Sequence, residues 1–274
     1  PVIIVRGPWT QEGLLYQARH LVSLLVLNGG YNCTTPQVLI LSRSCCRKEA
    51  FLEAVRRELS SVALRYDWFP GAEQRRESFV KDYPQAERFG PRTFVKLDPH
   101  KETRLFSEEA LCGMVGWVEL DAEDPENFMD RASHFCNKKL WGDLSCLILI
   151  DEGTRLASER ALSHAIGCLE YGSVGLNVYA GLAFASGVTP WGSYLEGKTN
   201  SRLAWVHNTY FFERPEKTVV EGSFLPPNAQ PWVKPFPDLY RVAHALFGFE
   251  LAPSLTTFFK FLMARGRSIL NERT

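Results

Sequence analysis

The sequence predicts an α/β fold, a three-layer helix–sheet–helix arrangement around a mostly parallel sheet. Three observations carry that prediction. The apolar runs "PVIIV", "QVLIL" and "LSCLILI" are continuous rather than alternating, as strands buried on both faces are. Segments with apolar residues at helical spacing separate such runs, so strand and helix alternate to about residue 180. The first elements read strand, helix, loop, strand, a unit whose crossover joins parallel strands.

Each element follows from local chemistry. "PVIIV" is apolar and β-branched, the composition of a buried strand. Thr10 offers an N-cap with Glu12 in the first turn, and Leu14, Ala18, Leu21, Val22 and Leu25 line one helical face. Asn28-Gly29-Gly30 ends that helix, and "QVLIL" is the second strand. "KEAFLEAVRRELSSVA" is an amphipathic helix, its Phe51, Val55, Leu59 and Val62 alternating with charge. Residues 65–101 are more polar and read as one short helix between loops. "MVGWVEL" is a strand, and "DPENFMDRASHFCNKK" is a helix acidic at its start and basic at its end. "LSCLILI" is a strand, "SERALSHAIGCLEYG" a helix closed by Gly172, and "VGLNVYAG" a further strand. Beyond these, "WVHNTYFF" and "EKTVVEG" read as strands around a Pro215 turn, and "FLPPNAQPWVKPFPD" as an extended surface segment. The last 35 residues return to helix, with Phe258, Phe259, Phe261 and Leu262 beside Lys260, Arg265 and Arg267. A basic amphipathic end can lie on a membrane surface, but docking on its own domain is the plainer expectation.

Composition excludes several functions. Lys plus Arg and Asp plus Glu are both 31, so there is no basic field for nucleic acid. No uninterrupted apolar stretch reaches the roughly 18 residues of a spanning helix, and no signal peptide is visible. The seven cysteines are odd in number and lack C-x-x-C spacing, which points to a reducing, cytoplasmic compartment. His164 and Cys168 stand four apart on a helix, but two ligands do not make a metal site, and no metal is expected. There is no G-x-G-x-x-G, P-loop or G-x-S-x-G motif.

Cys33 is the candidate that remains. It sits on a loop between a glycine-capped helix and a buried strand, where a side chain can face a crevice. A small hydrophobe in the core is the bland alternative. A position just past a helix C-terminus does not lower a thiol's pKa, so any activation must come from groups supplied elsewhere.

An ordered series of segments resembles the catalytic domain of the aldehyde dehydrogenase superfamily. Asn28-Gly29-Gly30-Tyr31-Asn32-Cys33 stands where that family has its N-x-G-x-x-C nucleophile loop, after "PVIIV" and a long helix. "SEEALCGMV" resembles the E-x-F-G-P-V segment, with Glu109 at the glutamate and Leu111 in place of the aromatic. "CNKKLWGDLSCLIL" resembles Asn-x-x-x-Tyr-Gly-Leu, and "YGSVGLNVYAG" resembles Gly-x-Val-x-Asn with Asn177 at the asparagine. "TPWGSYLEG" resembles the "PFGG" loop, and "HNTYFFERPEKTVV" resembles the family's final strands, which add to a neighbouring subunit. There are departures: Cys112-Gly113-Met114 replaces Gly-Pro, and Arg202 and Ala204 stand where glycines are common.

The resemblance implies an NAD(P)-dependent oxidation of an aldehyde to a carboxylic acid. Cys33 would add to the aldehyde, giving a thiohemiacetal, then a thioester after hydride transfer, which an activated water hydrolyses. The Cys33 amide would be one oxyanion donor, Glu109 would hold the cofactor's ribose, and Trp191 and Tyr194 would line the substrate tunnel. The family's general-base glutamate, oxyanion asparagine and cofactor domain would precede Pro1, so these residues alone are expected to be inactive. Such a domain needs roughly 150 to 250 residues. Residues 1–205 would form the catalytic domain, 206–222 strands joining a homo-oligomer, and 223–274 a Pro-rich segment with a C-terminal helix. The alternative is a non-catalytic binding or assembly module derived from such a domain.

Overall fold

In a computed structural model, residues 1–63, 68–194, 205–206, 217–228, 230, 232–233 and 239–271 are described. They fall into two units, Pro1–Leu225 and Pro226–Thr274.

The first unit is built on a sheet of strands β1 (Val2–Ile4), β2 (Val38–Ser42), β3 (Glu87–Phe89), β4 (Arg92–Lys96), β5 (Met114–Leu120), β6 (Ser145–Leu149), β7 (Ser173–Leu176) and β8 (Thr218–Glu221). Their order is β3-β4-β5-β2-β1-β6-β7-β8. Every pairing is parallel except β3 with β4. Helices α1 (Gln11–Val26) and α2 (Lys48–Ser61) pack on each other, as do α5 (Pro125–Lys139) and α7 (Glu159–Cys168). Strand alternation gives each pair one face: Ile3, Ile40, Val118 and Ile148 join Phe128, Ala132, Cys136, Leu162 and Ala165 in one core. The expected three-layer α/β fold is what forms, because strands buried on both faces need helices on both.

Thr10 caps α1, its side chain accepting from the Gly13 N–H. Asp124 caps α5 in the same way, with Pro125 in the first turn. The described part of the stretch 65–101 holds the one expected helix and, beyond expectation, a hairpin. After α3 (Ala72–Asp82) comes the β3–β4 hairpin, turning at Gly90 with φ 63°. "ERF" carries no apolar alternation, so periodicity does not reveal it; Arg56 of α2 fixes it instead, its Nε 2.7 Å from Glu87. A short α4 (Arg104–Ser107) follows, and α6 (Glu152–Ala157) begins on the side chain of Asp151.

Gly172 does not close α7, which ends at Cys168 with Leu169 as its cap. It serves a close approach instead: a Cβ there would stand 1.8 Å from the Gly192 carbonyl oxygen. β7 stops at Leu176 because Asn177 turns to φ 59°, and the short α8 (Leu182–Ser186) follows. Of the segment expected to join a neighbouring subunit, Thr218–Glu221 is β8, which pairs with β7 of its own chain. Val206 bridges Trp191, and residues 207–216, with Pro215, lie outside the described residues, as do Arg202 and Ala204.

The second unit contains α9 (Leu239–Leu251) and α10 (Leu255–Asn271), packed on each other with Phe249 and Phe258 ring centroids 5.7 Å apart. One helix was expected here. Pro253 breaks it, and the Ser254 hydroxyl accepts from the Thr257 N–H to start α10. Tyr240, Phe247, Leu251, Leu255, Phe259 and Met263 are exposed. No helix among the described residues is long and apolar enough to cross a membrane.

Candidate active site

α1 leaves its helix through a 3-10 turn, Leu27–Gly30, in which Asn28 (φ 53°) and Gly29 (φ 72°) turn left-handed. Asn tolerates that region because its short amide bonds locally; here its Nδ2 donates to Asn32 Oδ1 at 3.0 Å. Gly30, at φ 86°, lies where a Cβ would be 3.0 Å from the Leu25 carbonyl oxygen and 3.6 Å from the Gly113 nitrogen. Those contacts are backbone, so the absent side chain is what lets the cysteine loop rest on the segment that follows Glu109.

That segment is fixed from several sides. Arg75 of α3 donates from Nε to the Ala110 carbonyl at 2.6 Å, and also donates to the Glu109 carbonyl. The Ala110 N–H donates to Gln37 Oε1 at 2.7 Å. Glu108 is held by Arg75 at 3.0 Å and by Arg104 at 2.7 Å. A third wall comes from residues 141–145 and 191–193, joined where the Asp143 carbonyl accepts from the Gly172 N–H (2.8 Å) and the Tyr194 N–H (3.1 Å).

Together these segments enclose a cleft of about 390 Å³, with Cys33, Glu109, Tyr179, Asp143 and Trp191 on its wall. Pro1, Val38, Ser145 and Tyr171 also line it, which places it at the amino ends of β1, β2, β6 and β7. Ligands of open parallel sheets usually lie beyond the carboxyl ends. Cys33 is exposed, so it is not a core sulfur. Enclosure of its sulfur still pushes the thiol pKa up, the Cys33 amide opposes this, and the Glu109 charge adds to the rise. Burial likewise raises the Glu109 carboxyl, against the pull of Arg75. Tyr179, raised by burial, shares a 2.8 Å hydrogen bond with Thr34, the residue after the cysteine.

Of the residues singled out by sequence, Cys33, Glu109 and Trp191 meet in the cleft, whereas Leu111, Asn28, Asn32, Asn177 and Tyr194 are not on its wall. Leu111, at φ 46°, shapes the turn before β5. Asn177 is buried, its Oδ1 accepting from the Ile150 N–H at 2.8 Å and its Nδ2 donating to the Ile150 carbonyl at 2.9 Å. That asparagine extends β6 at the carboxyl end, away from the cysteine. The Tyr194 ring lies under Lys217, with Nζ 5.4 Å from its centroid. Sequence reasoning missed Arg75, Gln37, Asp143 and Tyr179. Tyr179 sat inside a stretch read as strand, Asp143 sat inside "CNKKLWGDLSCLIL" without a role, and Arg75 and Gln37 belong to no motif.

Among the described residues no group of three or more His, Cys, Asp or Glu side chains can hold a metal. His164 Nε2 and Cys168 Sγ are 3.5 Å apart, an exposed pair. Among the described residues the cleft wall carries no Lys, Arg or His side chain.

No protein-family model matches the chain, and no curated protein matches its sequence. Solved structures of aldehyde dehydrogenases do match its fold. A salicylaldehyde dehydrogenase from Pseudomonas putida G7, solved with salicylaldehyde, is similar over 75% of this chain and 45% of its own, at 15% identity and a TM-score of 0.54. A 1-pyrroline-5-carboxylate dehydrogenase from Thermus, solved with NAD, covers 70% of this chain and 38% of its own, at 17% identity and a TM-score of 0.54. An NAD-dependent aldehyde dehydrogenase from Sinorhizobium meliloti gives 14% identity, a TM-score of 0.53 and the same two shares, 70% and 38%. At these identities the likeness is one of fold alone, a three-layer α/β arrangement shared with part of each of these chains. The chain spans 38% to 45% of the length of these three structures.

Proposed function

We propose that the chain is the catalytic-domain portion of an NAD(P)-dependent aldehyde dehydrogenase, oxidising an aldehyde to a carboxylic acid through Cys33. The observation that supports this best is the meeting of Cys33 and Glu109, from distant parts of the sequence, on one cleft. The Cys33 Sγ adds to the aldehyde carbon, the carbonyl electron pair moves to oxygen, and the thiol proton passes to a base that this reading places in the parent protein beyond these residues. The developing oxyanion takes the Cys33 amide as one donor. Glu109 would hold the ribose of the nicotinamide cofactor, which when bound supplies the hydride acceptor. Partial enclosure favours the neutral forms of both carboxyl and thiol, and Tyr179 is hydrogen-bonded to Thr34 beside the sulfur.

The pKa of the Cys33 thiol is raised, and among the described residues the wall holds no histidine or lysine to deprotonate it. The base and the groups for the cofactor's diphosphate therefore belong, in this reading, to parts of the parent protein beyond these residues, and the isolated chain does not turn over. The reading carries with it a cytoplasmic, reducing setting for the seven free cysteines. It also carries a homo-oligomer joined along 206–222, where β8 is an edge strand. The test is turnover of a panel of aldehydes by the parent protein and its Cys33→Ala variant. Loss of about 10³-fold or more in kcat is expected, since the nucleophile cannot be replaced. Unchanged biological activity in Cys33→Ala would favour the second reading, a non-catalytic binding or assembly module, to which the unactivated thiol gives its support.

A further inference from the structure

A second cavity shares no lining residue with the cleft of Cys33. It is a groove of about 460 Å³ among the loop after β4, the end of β5 and one side of α5. Pro99, Leu120 and the buried Phe135 are its apolar lining. His100 comes from the loop, and Arg131, His134 and Lys138 come from the helix, all four exposed. Positions 131, 134 and 138 are three and four apart, so they form one stripe along α5.

The acidic groups of the groove are mostly engaged, and its basic groups mostly are not. Glu119 accepts from Lys48 and from Lys96, the latter at 2.8 Å, and Asp121 pairs with Arg43 at 2.8 Å. Lys139 pairs with Glu102. Arg131, His134 and the His100 ring make no hydrogen bond or ion pair among the described residues. Lys138 has Glu170 at 3.8 Å, beyond hydrogen-bond reach. Asp130 is the one carboxylate on the lining left unengaged. The helix dipole accounts for cations in the last turn, where Lys138 and Lys139 lie, but not for Arg131. Nor does Arg131 have an acidic neighbour three or four positions away, since Asn127, Phe128, His134 and Phe135 occupy those places.

We propose that this groove binds a small phosphate monoester with an apolar body. The Arg131 guanidinium offers a planar fork of N–H donors that matches two phosphate oxygens. The Lys138 ammonium adds three donors, and each imidazole adds at least one. The dianion meets two unengaged cations against the single carboxylate of Asp130, and the body of the ester covers Pro99, Leu120 and Phe135. A carboxylate ligand brings one charge and two oxygens, so it uses this set of donors less fully.

The test titrates the full chain with phenyl phosphate in a calorimeter at constant ionic strength. Saturable one-site binding with a Kd of about 1 mM or tighter is expected. Inorganic phosphate, which lacks the apolar body, and benzoate, which lacks the dianion, should each bind about threefold or more weakly. Arg131→Gln should weaken phenyl phosphate about fivefold or more and Lys138→Gln about twofold, whereas Asp130→Asn should tighten it about twofold. These side chains are exposed, so the variants keep the fold, which urea unfolding checks. Cys33 is labelled in parallel with a neutral methanethiosulfonate, its rate read at the peptide by mass spectrometry and compared with that of 2-mercaptoethanol. Phenyl phosphate should leave that rate unchanged. Absence of saturation up to about 10 mM, or a Kd indifferent to Arg131→Gln, would overturn the site. Inorganic phosphate as tight as the ester would overturn the apolar body, and tighter benzoate would overturn the phosphate. Protection of Cys33 by phenyl phosphate would move the binding to the cleft and sink the groove.

Discussion

Beyond the carboxyl ends of β1 and β6 the side chains crowd and pair with one another, whereas the amino ends of β1, β2, β6 and β7 leave the cleft that holds Cys33. Arg6 donates to Ser44 at 2.8 Å, Ser42 to the Ala122 carbonyl at 2.8 Å, and Thr154 Oγ1 to Asp151 at 2.6 Å. Lys96 and Glu119 pair at 2.8 Å. A Cβ on Gly7 would stand 1.8 Å from Asp151 Oδ2, so no room remains there. Strand order reverses between β1 and β6, the place where an open sheet would ordinarily bind its ligand beyond the carboxyl ends. In this chain that crevice is filled by capping and pairing, and the sheet's opposite end carries the exposed cysteine. The location of a site follows which loops are left unsatisfied, not topology alone.

Substitutions can break that contrast, the most damaging first. Gly172→Ala meets the Gly192 carbonyl oxygen at 1.8 Å, a backbone atom that cannot rotate away. A loss of about 3 kcal/mol or more is expected in urea unfolding. Near-normal stability would mean that the rim of the cleft yields easily and is not a built feature.

Asn177→Ala tests the closed end. It removes the hydrogen bonds to the Ile150 N–H and carbonyl and leaves alanine at φ 59°. About 2–3 kcal/mol of stability should go, with little change in Cys33 labelling, because this asparagine is off the cleft wall. A large effect on labelling with intact stability would place Asn177 in the site after all.

Cys33→Ala should be the mildest for stability, within about 0.5 kcal/mol, since an exposed side chain is lost. The pH dependence has a definite sign. Burial favours the neutral thiol, so the folded pKa lies above the unfolded one and the folded chain keeps its proton longer. The Cys33 contribution to stability is therefore whole below the unfolded thiol pKa and is lost as pH rises through the folded value. Its labelling rate should go on climbing at a pH where 2-mercaptoethanol, corrected to an unperturbed cysteine, has begun to level. A rate already flat at neutral pH would mean an activated thiolate and a base within this chain.

Much of the fold was legible because its signals are local. The Thr10 and Asp124 caps, the buried runs of β1, β2, β5 and β6, and the helices between them follow from residues within a few positions of each other. The β3–β4 hairpin was not legible, since a half-exposed "ERF" acquires its conformation from Arg56 across the sheet edge. Within the site, motif order pointed to Cys33 and Glu109. It also singled out Asn177 and Tyr194, which are not on the cleft wall, and it gave no role to Arg75 or Asp143.

The sequence by itself determined the α/β class, the parallel strands and the loop that carries Cys33, because hydrophobic periodicity, caps and glycine turns act over short spans. Only the tertiary structure decided that this loop rests on the segment after Glu109, that the cleft opens at the amino ends, and that the sulfur is exposed yet raised in pKa. Those are matters of which distant backbones approach closely and of how much protein surrounds an ionisable atom. Neither quantity is written in any short stretch of residues.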